Sequence, residues 1–250
     1  MDLAGRVVNE IGAPELEVLV AELGVYGVDG ELKNLIFAAD GPKPRIVLTD
    51  AVNNTIDIVA NAEFCLVFNE PLTRAGLTWN HLADWWARTR YDADRLTASI
   101  QTDLYRRLYR SLESEPEQLL FAAYMKRCVS NGDLPALIPQ VYLHYDPYTR
   151  RELGTQGQAL TRERMDFLLL PPRRARVVLE VDGKHHYTDA GADRSSPAKY
   201  AQMVRDDRQI RLDGYDVYRF GGHEFSPLPK AQPMLESFFD SLLGRYGTSK

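Results

Sequence analysis

The chain has 250 residues, is 44% hydrophobic and carries 30 Lys or Arg against 35 Asp or Glu, for a net charge of −5. That much apolar material suits one large or two small packed domains, and the acidic balance excludes a polycation that coats nucleic acid by bulk charge. No run of about 18 apolar residues occurs and the N-terminus lacks a basic-then-apolar signal, so neither membrane insertion nor secretion is expected.

In chain order, residues 15–23 read as a short amphipathic helix, followed by strand-like segments at 35–38, 45–49 and 55–59. Asn53 and Asn54 mark the turn between the last two. Residues 62–68 form another apolar strand candidate. Thr78 is placed to cap a helix running through Trp85, Trp86 and Arg88, with the paired tryptophans read as core. These elements make a small α+β unit spanning residues 1–90. Residues 94–110 and 117–128 then predict two helices leading into a second unit, 91–250, whose first strand is 139–145. Glu113, Glu115 and Glu117 read as a solvated cluster.

The segment MDFLLLPPRRARVVLEVDGKHHY, from Met165 to Tyr187, carries the chemistry. Its apolar runs 165–170 and 176–181 are separated by five residues that include Pro171 and Pro172, which predicts an antiparallel hairpin. If Leu170 pairs with Arg176, the same register sets Asp166 directly opposite Glu180, with Cβ atoms roughly 5 Å apart. Alternation puts Glu180, Asp182 and Lys184 on that face and Val177, Leu179 and Val181 on the other. Glu180 and Asp182 alone, roughly 6.7 Å apart, would repel by about 2.5 kcal/mol at an effective dielectric of 20. A hard divalent cation offsets such repulsion, and Lys184 beside it would orient an attacking water or neutralise developing charge. A solvated hairpin is the bland alternative, but the apolar run before the acids predicts a central strand, where an uncompensated carboxylate is costly.

Downstream, residues 198–212 predict a helix with Tyr200, Met203, Asp207 and Ile210 on one stripe, Gly214 as its C-terminal cap, and 215–220 as the next strand. An Asp207 paired to an arginine is the plain reading of the break in that stripe. His186 continues the parity of Glu180 and Lys184, which suits phosphate contact or acid–base transfer. His185, His186 and His223 lack the cysteines and spacing of a zinc site. Gly221 and Gly222 read as a turn, since no GKS or GKT accompanies them. Residues 1–90 hold 7 Lys or Arg and 13 Asp or Glu, leaving 23 and 22 for residues 91–250, so the net charges are −6 and +1. The hairpin loop with Arg173, Arg174 and Arg176 is the candidate phosphate contact. Cys65 and Cys128 are far apart and form no CxxC, which favours a reducing cytoplasm.

Asp166 on one strand and an acid-x-Lys on the next resemble the core of the PD-(D/E)xK nucleases, over roughly residues 139–225. The plain pattern makes Asp182 the leading acid. The ExDG form of relatives of very short patch repair endonucleases makes it Glu180, and both assignments stay open. Asp207 and Arg208 resemble the D-R pair that follows ExDG in those relatives. The resemblance implies an α+β, restriction-endonuclease-like mixed sheet flanked by helices. It also implies Mg²⁺, with Mn²⁺ able to substitute, held by Asp166, Glu180 and Asp182, with Lys184 positioning water and nucleic acid, DNA first, as substrate.

The GPKP, DAVNN and GLTW…WW elements of residues 41–86 resemble the N-terminal domain of AbiJ-type abortive-infection proteins. This resemblance implies antiphage defence, with residues 1–90 regulating, sensing a phage-derived trigger or assembling a homo-oligomer. A catalytically silent nucleic-acid-binding or scaffolding protein on the same fold is the rival from another class. It has no need of opposed carboxylates that repel without metal. A repair endonuclease without immune role shares the chemistry and differs through the N-terminal unit.

Overall fold

The computed structural model describes residues 35–50, 55–72, 75–93, 95–142, 164–173, 175–183 and 196–248. The expected helix at 15–23, the Asn53–Asn54 turn, the end of the 139–145 strand, and Arg174, Lys184, His185 and His186 lie outside these residues.

Strand β1 (Leu35–Phe37) is wholly buried. β2 (Arg45–Asp50) and β3 (Thr55–Ala60) pair as an antiparallel hairpin. The strand expected over residues 62–68 divides. Asn61, in the left-handed region at φ 61°, starts a 3-10 turn over Ala62–Phe64, and only Leu66–Phe68 remains extended as β4, antiparallel to β1. Helix α1 (Trp79–Tyr91) begins where Thr78 Oγ1 accepts the His81 N–H at 3.2 Å, as expected of that threonine. α2 (Ala98–Tyr109) is capped by Thr97 and α3 (Glu115–Ser130) by Ser114.

The main sheet has the order β5 (Ile138–Val141), β6 (Met165–Leu169), β7 (Val177–Asp182), β8 (Asp216–Gly221). β6 runs antiparallel to both of its neighbours, β5 and β7, and β8 joins β7 in parallel after helix α4 (Pro197–Leu212). The hairpin has the expected register: Phe167 pairs with Leu179, Leu168 with Val178 and Leu169 with Val177. β7 is therefore interior, and all six of its residues are buried. A C-terminal helix, α5 (Leu228–Arg245), was not anticipated, although Leu235, Phe239, Leu242 and Leu243 mark its apolar face. The architecture is α+β.

The two faces of the sheet are covered differently. Phe121 of α3 stacks on Phe167, and Phe238 of α5 meets Tyr218 and Phe220 edge-on, so aromatic packing seals the face that carries Phe167 and Leu179. The opposite face carries Glu180, Asp182 and Arg219 and is met by α4 through charged groups. Within α4 only Ile210 is buried, and Tyr200, expected on its inner stripe, is 58% exposed. The short, polar helix holds its place by ion pairs instead of by an apolar stripe.

Residues on both sides of position 90 share one core. Tyr142 donates its N–H to Ile36, Ala38 donates to Pro139 and Gln140, and Leu77 donates to Leu170. Gly76, at φ +77°, lets the chain pass directly over the Leu170 and Pro171 carbonyls, where a Cβ would collide. Arg107 donates to the Ala38 and Phe64 carbonyls at 2.7 and 2.8 Å. Phe37, fully buried against Trp85, therefore belongs to the same cooperative unit as the main sheet. Phe37→Ala is expected to cost about 3–5 kcal/mol in denaturant unfolding, with one transition by every probe. A cost under about 1 kcal/mol would show that residues 35–68 sit outside the cooperative core.

Candidate functional site

Continuing the β6–β7 register by one step sets Asp166 opposite Glu180, and the parallel β7–β8 register sets Glu180 beside Arg219. On the other side, the pairs Val141–Met165 and Pro139–Phe167 bracket Gln140 against Asp166. One row thus crosses all four strands: Gln140, Asp166, Glu180, Arg219. Asp166 is half-buried at the start of β6, where Oδ2 accepts the Val181 N–H at 2.9 Å. Glu180 is only 1% exposed.

The structure separates the two acids of β7. Arg219 Nη1 donates to both oxygens of Asp182, at 2.9 and 3.2 Å, while its Nε donates to Asp207 Oδ1 at 2.9 Å. Asp207 Oδ2 lies 3.0 Å from Arg211 Nε, one turn further along α4. Burial opposes the Arg219 charge, but Asp182, Glu180 and Asp207 together hold its pKa above the ordinary arginine value. Asp207 is thus arginine-paired as expected, although its partners are Arg219 and Arg211. Arg208 lies one residue on, about 100° around the helix, and is exposed.

A second group stands at the Asp166 end of the row. Glu117, expected to be solvated, is buried. Its N–H donates to the Ser114 cap at 3.3 Å, and its carboxylate accepts the Ser114 hydroxyl at 2.9 Å, the Glu113 N–H at 3.0 Å and Gln140 Nε2 at 2.9 Å. Burial, with Asp166 adding like-charge repulsion, raises its pKa. Glu113 is held below the ordinary carboxylate range by a bidentate pair with Arg164, at 2.6 and 2.9 Å. Arg164 keeps its charge despite burial because Glu113 and Asp166 both favour the cation.

The arginine loop is at the other end of the hairpin. Arg176 stands four residues before Glu180, roughly 13 Å along the strand. It donates to the Asp213 carbonyl at 2.7 Å and lies over the Tyr215 ring at 4.3 Å, which ties the loop to the start of β8. Arg173 is exposed, at φ 62°. These side chains therefore do not join the carboxylate row.

Sequence reading missed Arg219, Gln140, Glu117 and Arg164. Arg219 had a usable signal: a lone arginine in the strand YDVYRF falls beside Glu180 once β8 is laid parallel on β7. Glu117 had another in the S-x-x-E spacing after Ser114. Gln140 and Arg164 had none.

A cation on this face would meet oxygen donors. Asp166 and Glu180 supply two carboxylates in register, which suits Mg²⁺, an ion usually held by one or two carboxylates and otherwise by water and phosphate. Among the described residues no group of three or more His, Cys, Asp or Glu is arranged to hold a metal ion. Asp182 is engaged by Arg219, and Glu180 stands in the same row beside that guanidinium. No family model matches the chain, and no curated protein or solved structure matches it.

Glu117 provides a pH test of this corner. An acid whose folded pKa is raised stabilises the fold fully below its unfolded pKa, near the ordinary glutamate value of 4.5, and loses that contribution as pH rises through the folded value. Glu117→Gln should therefore flatten the stability profile above about pH 4, gaining on the parent as pH rises towards 7. Parallel profiles for the two proteins in urea unfolding would show that Glu117 carries no burial penalty.

Proposed function

We propose that this protein is a Mg²⁺-dependent nuclease of the PD-(D/E)xK type that hydrolyses phosphodiester bonds in DNA and acts as an abortive-infection effector against phage. The register of β6 on β7 carries the proposal, because it sets Asp166 opposite Glu180, two carboxylates in one row of the sheet with Asp182 two residues further along β7. The order of antiparallel β5, β6 and β7, crossover α4 and parallel β8 supports the restriction-endonuclease-like fold within this reading. The defence role rests on the N-terminal elements GPKP, DAVNN and GLTW…WW.

In the proposed reaction Asp166 and Glu180 hold the cation and Lys184 orients the water for in-line attack. The cation, when bound, supplies charge neutralisation at the phosphodiester. Arg219 pairs with Asp182 and Asp207 and stands beside Glu180. Arg164 holds a positive charge near Asp166.

Incubation of the purified chain with plasmid, linear DNA and RNA, with and without Mg²⁺, tests the activity and substrate directly. Mn²⁺ at a hundredfold excess over its dissociation constant should stabilise the parent by about 2.7 kcal/mol. Asp166→Ala and Glu180→Ala should lose both this shift and cleavage, and an unchanged shift in either would remove that residue from the site. Bacteria carrying the intact chain should arrest on phage infection, and those carrying Glu180→Ala should not.

Lys184→Ala removes a cation and no ligand, so Mn²⁺ binding should persist or tighten while cleavage falls by at least about a hundredfold. Near-parental cleavage by this variant would reduce Lys184 to a charge-balancing role.

A further inference from the structure

The arginine loop and helix α4 are joined. Arg176 donates to the Asp213 carbonyl just past the end of α4, which brings the loop that carries exposed Arg173 to the last turn of that helix. Further along, Arg211 meets β8 at Val217 and Asp207 meets it at Arg219, so α4 runs antiparallel to the strand. Tyr200, seven residues before Asp207 and therefore about 10 Å further on, comes level with the Asp182–Gly221 end of the sheet. We propose that this line of residues is a track for a nucleic-acid strand, which follows the outer face of α4 from the arginine loop to the carboxylate end of the sheet. The inference rests on the nuclease reading above for its ligand and names the surface that holds it.

Charge on α4 is sorted by side. Residues 197–212 hold four Lys or Arg and two Asp. Both acids are occupied within the protein: Asp206 accepts Gln202 Nε2 at 2.7 Å, and Asp207, turned to the sheet, accepts Arg219 Nε at 2.9 Å. Arg205 and Arg208 are exposed, and so is Arg211 although it pairs with Asp207. At about 100° per residue these three arginines and Tyr200 occupy a sector of roughly 140° on the side turned away from buried Ile210. In a chain of net charge −5, the result is a local cationic face that complements a polyanion. Asp213, at the junction with the loop, has its carboxylate on Gln209 Nε2 at 3.0 Å. From Arg211 to Tyr200 the helix covers about 16 Å, the axial reach of about five phosphates of one strand. Tyr200 is exposed and presents an aromatic ring, at the carboxylate end, on which a base can stack.

The test is fluorescence anisotropy of a labelled DNA duplex and a labelled single strand with the full chain, in EDTA and across a salt series, with Mg²⁺-dependent cleavage measured in parallel. Arg205→Ala and Arg208→Ala should each reduce the steepness of log K against log[salt] by about 0.9 for the duplex or about 0.7 for the single strand, and Arg208→Lys should keep it. Arg106→Ala, at an exposed arginine of α2, should leave it unchanged and so separates a track from bulk charge. Tyr200→Ala should weaken single-strand binding at least about fivefold at an unchanged slope, through loss of base stacking. In cleavage, the double variant Arg205→Ala/Arg208→Ala should raise KM with kcat near the parent's. A parental salt slope in that double variant, or a parent that binds neither DNA at low salt, would overturn the track, and Mg²⁺-dependent cleavage by the parent would still leave the nuclease reading standing. The expected slope changes in a chain that cuts neither DNA nor RNA would do the reverse, supporting the track as a binding surface and sinking the nuclease reading.

Discussion

A carboxylate on a strand buried from both sides cannot shed its charge into water, and the architecture around β7 follows from that constraint. Every residue of the strand is buried, including Glu180 and Asp182. Asp182 is compensated from the neighbouring parallel strand by Arg219, which is compensated in turn from α4 by Asp207. Asp166 is drawn to the end of the hairpin by the Val181 N–H, where the β6–β7 ladder gives way to a side-chain contact. A sheet built only for stability would place apolar residues here. Replacing buried ion pairs by packed apolar groups is often neutral or better.

The cost of this arrangement appears in α4. α5 buries Ala231, Leu235, Phe239, Leu242 and Leu243, and its Asp240 adds an ion pair to Arg127 of α3. α4 is nearly as long and buries Ile210 alone, with Leu212 76% exposed. What holds it is the Asp207 pair with Arg219 of β8, together with the Arg211 bond to the Val217 carbonyl. Ion pairs this close to solvent weaken with salt, whereas the aromatic contacts of α5 do not. The same guanidinium thus balances the acid face and docks the helix, so neutralising Asp182 or Asp207 perturbs both.

Much of this was readable from local pattern. The hairpin register followed from two apolar runs and a five-residue proline loop, and the interior position of β7 followed from the continuous apolar run before Glu180. The caps at Thr78 and Gly214 followed from residue type and place. Failures came where tertiary context overrode pattern. An apolar run at 62–68 was broken by one left-handed asparagine, and of the helical stripe containing Tyr200 only Ile210 reaches the core. Arg219 was invisible as a partner of Asp182 because the pairing depends on a parallel crossover, and no hairpin rule sets the register of strands separated by a helix. The burial of Glu117 was missed for a related reason: a local cluster of acids looks solvated until a distant strand closes over it.

The junction between the N-terminal segment and the main sheet has its own strain. Ala38 and Gln140 both adopt φ near +52°, unusual for residues with a Cβ, and Ala38 donates its N–H to the Gln140 carbonyl at 3.2 Å. Each such residue costs of order 1–3 kcal/mol and persists only where its surroundings hold it. Arg107 does so on one side by taking the Ala38 carbonyl, and Glu117 on the other by accepting the Gln140 amide. Gln140 stands in register with Asp166, so the strain lies between β1 and the first carboxylate of the row. Residues 35–38 therefore meet Gln140 through the Ala38 N–H, and Gln140 in turn meets Glu117 through its side-chain amide, so the two strained residues are held from both ends.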